Sequence, residues 1–312
     1  MGFLKFDRKV VGSLSRIALV VLLHSCSGNG ELEVGSPFSE AGSYELSIER
    51  KKNGSAQAGM GDLFTKTKVS LEVENSGDHL IEGKWNYGAT ALEGGDVQIS
   101  AEEEAIINIY QGMVFDLVCD VELNKLTLNN YTEVRNQLEQ LFFRVYGKDS
   151  ITEGSEMYSR IKEMFNQRAS NDHDLLENFF PEVPLFFGVI GKRFKHGELY
   201  SSDSIQSPYG PNFMTLVTSV EIEEEDLGPV IYKVDSLRSA DIDQELRNYM
   251  NAMFGDRASE VPIDQFPRSR YQATTIIELD DDQNLRLLEN EQLFSNGEEE
   301  KINTVSVSIV NQ

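Results

Sequence analysis

The residues best suited to hold a cation lie near the C-terminus, in Asp280-Asp-Asp-Gln-Asn-Leu-Arg-Leu-Leu-Glu-Asn-Glu291. Oxygen-bearing side chains at Asp280, Asp282 and Asn284, with Glu291 at the twelfth place, match a calcium loop, where alternating short acids wrap a hard ion. Leu285 stands where such a loop needs glycine for its sharp turn, and Ile276-Ile-Glu-Leu279 before it reads as strand. The competing expectation is an Asp/Asn-rich hairpin turn followed by a strand led by Leu285 and Leu287. Zinc chemistry is disfavoured, because His79, His173 and His196 are far apart and none belongs to a His-x-x-x-His pair. Asp172-His173-Asp174 is the densest local set, and at the start of a short helix its acids read as N-terminal capping residues. Ser159-Arg-Ile-Lys162 has the Ser-x-x-Lys spacing of an acyl-enzyme nucleophile, but no Lys-Thr-Gly or Ser-Asp-Asn partner and no Gly-x-Ser-x-Gly elbow accompanies it. No glycine-rich phosphate loop is present either, so the sequence predicts no enzyme and no cofactor.

The elements that must position any site follow from periodicity. Tyr44 to Ile48, Val69 to Val73, Val97 to Ile99, Met214 to Ile222 and Thr304 to Val310 alternate apolar and polar residues, which predicts half-buried strands in an antiparallel sheet. Between them, Asn130 with Glu133 looks like a capping pair, and Val134, Leu138, Leu141, Phe142 and Val145 share one helical face before Gly147. Met157, Tyr158, Ile161, Met164 and Phe165 repeat the pattern, and Leu175, Leu176, Phe179 and Phe180 suggest a short helix broken by Pro181. A further helix is expected over about 240–254, with Ile242, Leu246, Tyr249, Met250 and Met253 on one face. Segregated strands and helices predict an α+β fold, a curved and mainly antiparallel sheet with a helical block at about 131–180. Phe142, Met157, Phe165 and Phe179 lie in an aromatic- and methionine-rich block that reads first as core. Its sharper reading is a soft apolar cavity for an acyl chain.

Composition narrows the partners. The chain of 312 residues has 28 basic and 52 acidic side chains, a formal net charge of −24. Such a surface repels nucleic-acid phosphates and anionic headgroups. Cys119 lies in an apolar strand-like run with no flanking His or Lys, which predicts a small buried hydrophobe rather than a reactive thiol.

Residues 1–25 read as an export segment: Lys5, Arg8, Lys9 and Arg16, then the apolar run Ile17 to Leu23, then small residues. Seven apolar residues are too few to span a bilayer core, which takes roughly 20 in a helix. The ending Leu23-His24-Ser25-Cys26 resembles the lipobox of bacterial lipoproteins, although His24 departs from the usual small or aliphatic residue. The resemblance implies cleavage before Cys26, a lipid on its thiol, and, from Ser27 rather than Asp after it, sorting to the outer membrane. The expected placement is on the periplasmic side. Removing four basic residues and Asp7 leaves 24 basic against 51 acidic, or −27. The lipid, rather than a basic patch, would then attach the protein, since two or three acyl chains hold a domain at a membrane where one does so only marginally. Residues 26–42, rich in Gly, Ser and Glu, are expected to form a flexible tether, with one globular domain at 43–312 and a helical insertion at about 130–181. The stretch Phe180-Pro-Glu-Val-Pro-Leu-Phe-Phe-Gly188, expected to lead from helices into new strands, resembles a junction of uncharacterised envelope lipoproteins. The whole order resembles the lipoprotein-carrier half-barrel group, which implies helices over a curved sheet and an apolar cavity, with no site residue carried over. The functional expectation is a non-enzymatic envelope lipoprotein binding an apolar ligand or a protein partner. The alternatives are a structural or assembly component of the outer membrane, and, third, a hydrolase with an unrecognised site.

Overall fold

The computed structural model describes residues 31–38, 40–52, 63–77, 79–92, 110–146, 156–206, 213–238, 247–248, 251, 270–295 and 300–311. Most of them belong to one antiparallel, open, curved sheet. Its strands are β2 (Gly42–Lys52), β3 (Leu63–Ser76), β4 (Leu80–Leu92), β5 (Val114–Asp120), β6 (Lys125–Leu128), β8 (Leu199–Gln206), β9 (Phe213–Glu225), β10 (Gly228–Leu237), β11 (Arg270–Leu279), β12 (Leu285–Ser295) and β13 (Glu300–Asn311). Two short strands, β1 (Glu31–Glu33) and β7 (Arg193–Lys195), pair separately. The order across the large sheet is β6-β5-β4-β3-β2-β13-β12-β11-β10-β9-β8. The first and last strands of the large sheet therefore meet at its centre, Ile48 opposite Val307.

The alternation that predicts these strands also decides their inner face. Tyr44, Leu46 and Ile48 of β2, Val69, Leu71 and Val73 of β3, and Val307 of β13 are buried, while Glu49 and Lys66 pair on the outer face. Four helices lie between β6 and β7: α1 (Tyr131–Tyr146), α2 (Glu156–Arg168), α3 (Asp172–Phe179) and α4 (Glu182–Phe187). They pack as a layer, with α1 against β5, α3 against β6 and α4 against β13. The fold is thus α+β with a small helical share, and the helical block runs on to Phe187. The stretch expected to leave the helices is itself α4, because Val183, Phe186 and Phe187 repeat at helical spacing and are buried. Of the helix expected at about 240–254, only Arg247, Asn248 and Asn251 are described, and they are helical; Ile242, Leu246, Tyr249, Met250 and Met253 lie outside the described residues.

Asn130 starts α1 differently from a simple capping pair. Its Oδ1 accepts from the Asp116 backbone N–H at 3.0 Å and its Nδ2 donates to the Val114 carbonyl, so it ties the helix to β5. At α3, Asn171 is the cap, accepting from the Asp174 N–H, and Asp172 and Asp174 fill the acid-favouring first turn.

Because neighbouring strands run oppositely, connections alternate between two ends. One end, the turn end, is where β3 meets β4, β5 meets β6, β9 meets β10 and β11 meets β12; at the opposite end β2, β4, β6, β8, β10 and β12 finish. The turn end is crossed by residues 31–38. Val34 and Phe38 are buried, the Val34 N–H donates to the Lys192 carbonyl, the Gly35 N–H to the Gln283 carbonyl, and the Ser76 hydroxyl to the Phe38 carbonyl. This corrects the expected tether at 26–42: from Glu31 onward the chain is a docked strap, held by two apolar anchors that composition alone averaged away. Gly191, at φ +73°, lies so close to Val121 that a Cβ would come within 2.2 Å of its Cγ1, which is how strap, α4 exit and β5–β6 turn fit together.

Candidate functional site

Two neighbouring rows of side chains cross the inner face of the sheet, and they differ in chemistry. Ile48, Val307, Leu288, Ile277 and Ile231 stand directly opposite one another from β2 through β13, β12 and β11 to β10. All five are buried. Two residues along each strand, on the same face, the row is Arg50, Val305, Asn290, Thr275 and Lys233, flanked by Thr65 on β3 and Val220 on β9. At about 4.8 Å per strand, Arg50 and Lys233 lie roughly 19 Å apart across the sheet. Asp235 and Thr218 stand opposite each other one step further along.

Each polar member of this belt has its partner. Glu182 opens the first turn of α4, four residues before Phe186 and so on the same buried face. Its Oε1 accepts from the Arg50 guanidinium and, at 2.5 Å, from the Tyr87 hydroxyl. Arg50 also donates to Thr67 Oγ1 at 3.3 Å and lies 4.7 Å above the Tyr110 ring. Burial opposes the charge on Arg50, but the Glu182 carboxylate more than offsets it and holds the guanidinium above its usual range. Burial, reinforced by the same carboxylate, pushes the Tyr87 phenol well up; burial also raises Tyr110, with Arg50 pulling against it. Further along, Asp235 accepts from the Thr218 hydroxyl and, at 2.6 Å, from Lys233 Nζ, and Asn290 Nδ2 donates to Thr275 Oγ1 at 2.9 Å. Among the described residues, Glu182 Oε2 and Trp85 Nε1 are buried polar atoms without a hydrogen-bond partner.

The described rings of the aromatic block pack against one another. Phe115 and Phe180 meet edge-on at 4.6 Å, Tyr87 lies 5.7 Å from Phe180, and Trp85 lies 5.9 Å from Phe186. Phe165, wholly buried, has Phe179 at 5.9 Å and the Arg135 guanidinium 5.3 Å above its ring, so these two candidate ligand residues pack between helices. Phe142 and Met157 fall in α1 and α2, and their side chains lie outside the described residues, as does Cys26. A shallow depression of about 580 Å³ on α2 is lined by Ser159, Lys162, Glu163 and Asn166 among others.

The calcium-loop residues do not converge. Asp280 to Asn284 form the β11–β12 hairpin turn, where Asp280 Oδ1 accepts the N–H groups of Asp282 and Asn284 at 2.9 and 2.8 Å. Glu291 sits on β12 opposite Thr274, roughly 20 Å along the strand from the turn at about 3.3 Å per residue. Leu285 is buried, so the hydrophobic pattern, rather than a cation, sets this segment. No group of three or more His, Cys, Asp or Glu among the described residues is arranged to hold a metal. Burial pushes the Cys119 thiol up from 9.0 to about 11, with Asp120 adding to it, which makes it an unreactive core side chain.

Sequence reasoning missed the belt, although its signal was present: Tyr44, Leu46, Ile48 and Arg50 continue one alternation, as do Ile231, Lys233 and Asp235, and Glu182 interrupts an apolar run. A polar residue at a core position marks a functional or structural exception.

No family model matches the chain, and no curated protein matches it. Among solved structures, it is similar to a lipovitellin structure described as "lipid-protein interactions in lipovitellin", at 7% identity and a TM-score of 0.39, covering 87% of this chain. The chain spans a quarter (25%) of the length of that structure, and at this level the likeness carries no weight for fold or ligand. No helix among the described residues is long and apolar enough to cross a membrane.

Proposed function

We infer that this protein is an exported, lipid-anchored envelope protein, non-enzymatic, that binds an amphiphilic ligand against the inner face of its curved sheet. The observation that carries the reading is the pair of adjacent rows. The apolar row joins the packed core, and the next row offers hydroxyl, amide and paired charged groups at successive strands. A ligand with a polar part and an apolar part is what such a step in polarity selects, since either part on the wrong row would bury an unmatched surface. Because Arg50 and Lys233 are already matched by Glu182 and Asp235, the polar part is neutral and hydrogen-bonding rather than a free anion. The anchor at Cys26 and the outer-membrane, periplasmic placement rest on the lipobox resemblance.

The test is to purify the soluble domain from Ser27 and analyse it by native mass spectrometry and organic extraction. A co-purified lipid at near-stoichiometric level, lost in the belt variant Asn290→Leu/Thr275→Val, supports the reading. A clean apo mass, with no binding of a fluorescent fatty-acid probe, overturns it. That result favours the second reading, a structural component, for which the packing of the aromatic rings against one another is the supporting observation.

A further inference from the structure

The lipid anchor of the proposed function and the strap together dictate how the domain stands on its membrane. Glu31 is already paired to β7, at the end of the sheet that carries the short turns. Only four residues, 27–30, separate it from Cys26, and the five steps of chain reach at most about 17 Å. A domain whose central strands are about 40 Å long cannot turn its far end to the surface on so short a leash. The same end presents Leu123 at the β5–β6 turn, Leu227 at the β9–β10 turn and Val310 at the close of β13, exposed by 72%, 64% and 52%. Leu123 and Leu227 lie toward opposite sides of the sheet and Val310 near its middle, so they spread along the rim.

We propose that this turn end is a membrane-docking surface, its occupant the zwitterionic phospholipid layer that receives the Cys26 acyl chains. The inference rests on the lipid-anchor reading. Exposed leucines at turn tips gain by entering the headgroup boundary, and the acyl chains supply the affinity that three apolar side chains lack. Glu122, Asp226, Asp281 and Asp282 share the rim and are exposed, which directs it to neutral rather than anionic lipid. The strap and the α4 exit close this end against the core, so the opposite end, where β4 finishes at Leu92, points away from the bilayer.

The test uses the full-length chain, purified from cells and reconstituted into phosphatidylcholine vesicles. An environment-sensitive fluorophore is placed at Leu123→Cys, Leu227→Cys or, at the far end of β4, Leu92→Cys, and is quenched by a nitroxide on the lipid headgroup. The expected result is loss of fluorescence at 123 and 227 with little at 92, and a weaker loss when phosphatidylglycerol is added. Equal quenching at all three positions, or stronger quenching at 92, overturns the orientation while leaving the anchor intact. Intact mass separates the two failures: a chain lacking the acyl mass on Cys26 removes the anchor reading and the orientation with it.

Discussion

The two rows on the inner face are made by the same strands, two residues apart, and yet one is core and the other is a polar belt. Ile48, Val307, Leu288, Ile277 and Ile231 need only shape, and an apolar residue of similar volume is the best-tolerated replacement. Arg50, Asn290, Thr275 and Lys233 need partners: Arg50 finds Glu182 on a helix, Lys233 finds Asp235 two residues along its own strand, and Asn290 and Thr275 find each other across the row. The first row is buried throughout and the second is buried at Asn290 and Thr275 and partly exposed at Arg50 and Lys233, but what separates them is whether a side chain is satisfied by contact or only by a specific atom.

Substitutions break this comparison in a graded way. The largest loss is expected where apolar packing is densest: Phe180→Ala should cost about 4 kcal/mol, read from urea unfolding, because the ring is wholly buried among Tyr87, Tyr110 and Phe115. Glu182→Ala should cost about 3 kcal/mol by leaving Arg50 unmatched, the low end of the usual range because 19% of that side chain remains exposed. A smaller loss for Glu182→Gln, which keeps the hydrogen bonds, would show that satisfaction rather than charge is what the belt requires. Asn290→Ala should cost about 1–2 kcal/mol, since it strands the buried Thr275 hydroxyl, whereas Asn290→Leu/Thr275→Val together should be nearly neutral. Equal losses from the single and double variants would refute the pairing account.

Alkaline pH sharpens the same contrast. A group whose folded pKa is raised favours folding fully below its unfolded value and ceases to as pH rises to the folded one. Cys119, raised from 9.0 to about 11 chiefly by burial, predicts that stability falls across that interval. Cys119→Ala should flatten the fall measured by denaturant titration at successive pH values, although the raised Tyr87 and Tyr110 phenols will still lower stability at higher pH. The smallest effect belongs to the rim: Leu227→Ser should change stability by less than about 0.5 kcal/mol, because 64% of the side chain is already in water.

The strands were legible because period two is a local property. Val305, Val307 and Ile309 announce their face without reference to any other strand, and the helices α1 to α3 are equally local, with Val134 and Leu138 or Leu175 and Leu176 at helical spacing. The strap was not legible, since Val34 and Phe38 are isolated in a polar stretch and acquire meaning only against Lys192, Gln283 and Ser76. The Asp280 loop shows the opposite failure. Its ligand spacing is local, but a strand carries Glu291 away from the turn. Likewise the aromatic block was visible as composition, while which rings meet depends on contacts between elements far apart in sequence.

The sequence by itself determined the antiparallel strands, the amphipathic helices and the acidic balance of charge, because each depends on composition or on neighbours within one or two turns of chain. Only the tertiary structure decided that β13 closes against β2, that Arg50 meets Glu182 across 132 positions, and that a polar row lies beside an apolar one. Those are matters of register and packing between elements distant in sequence, which local periodicity cannot express.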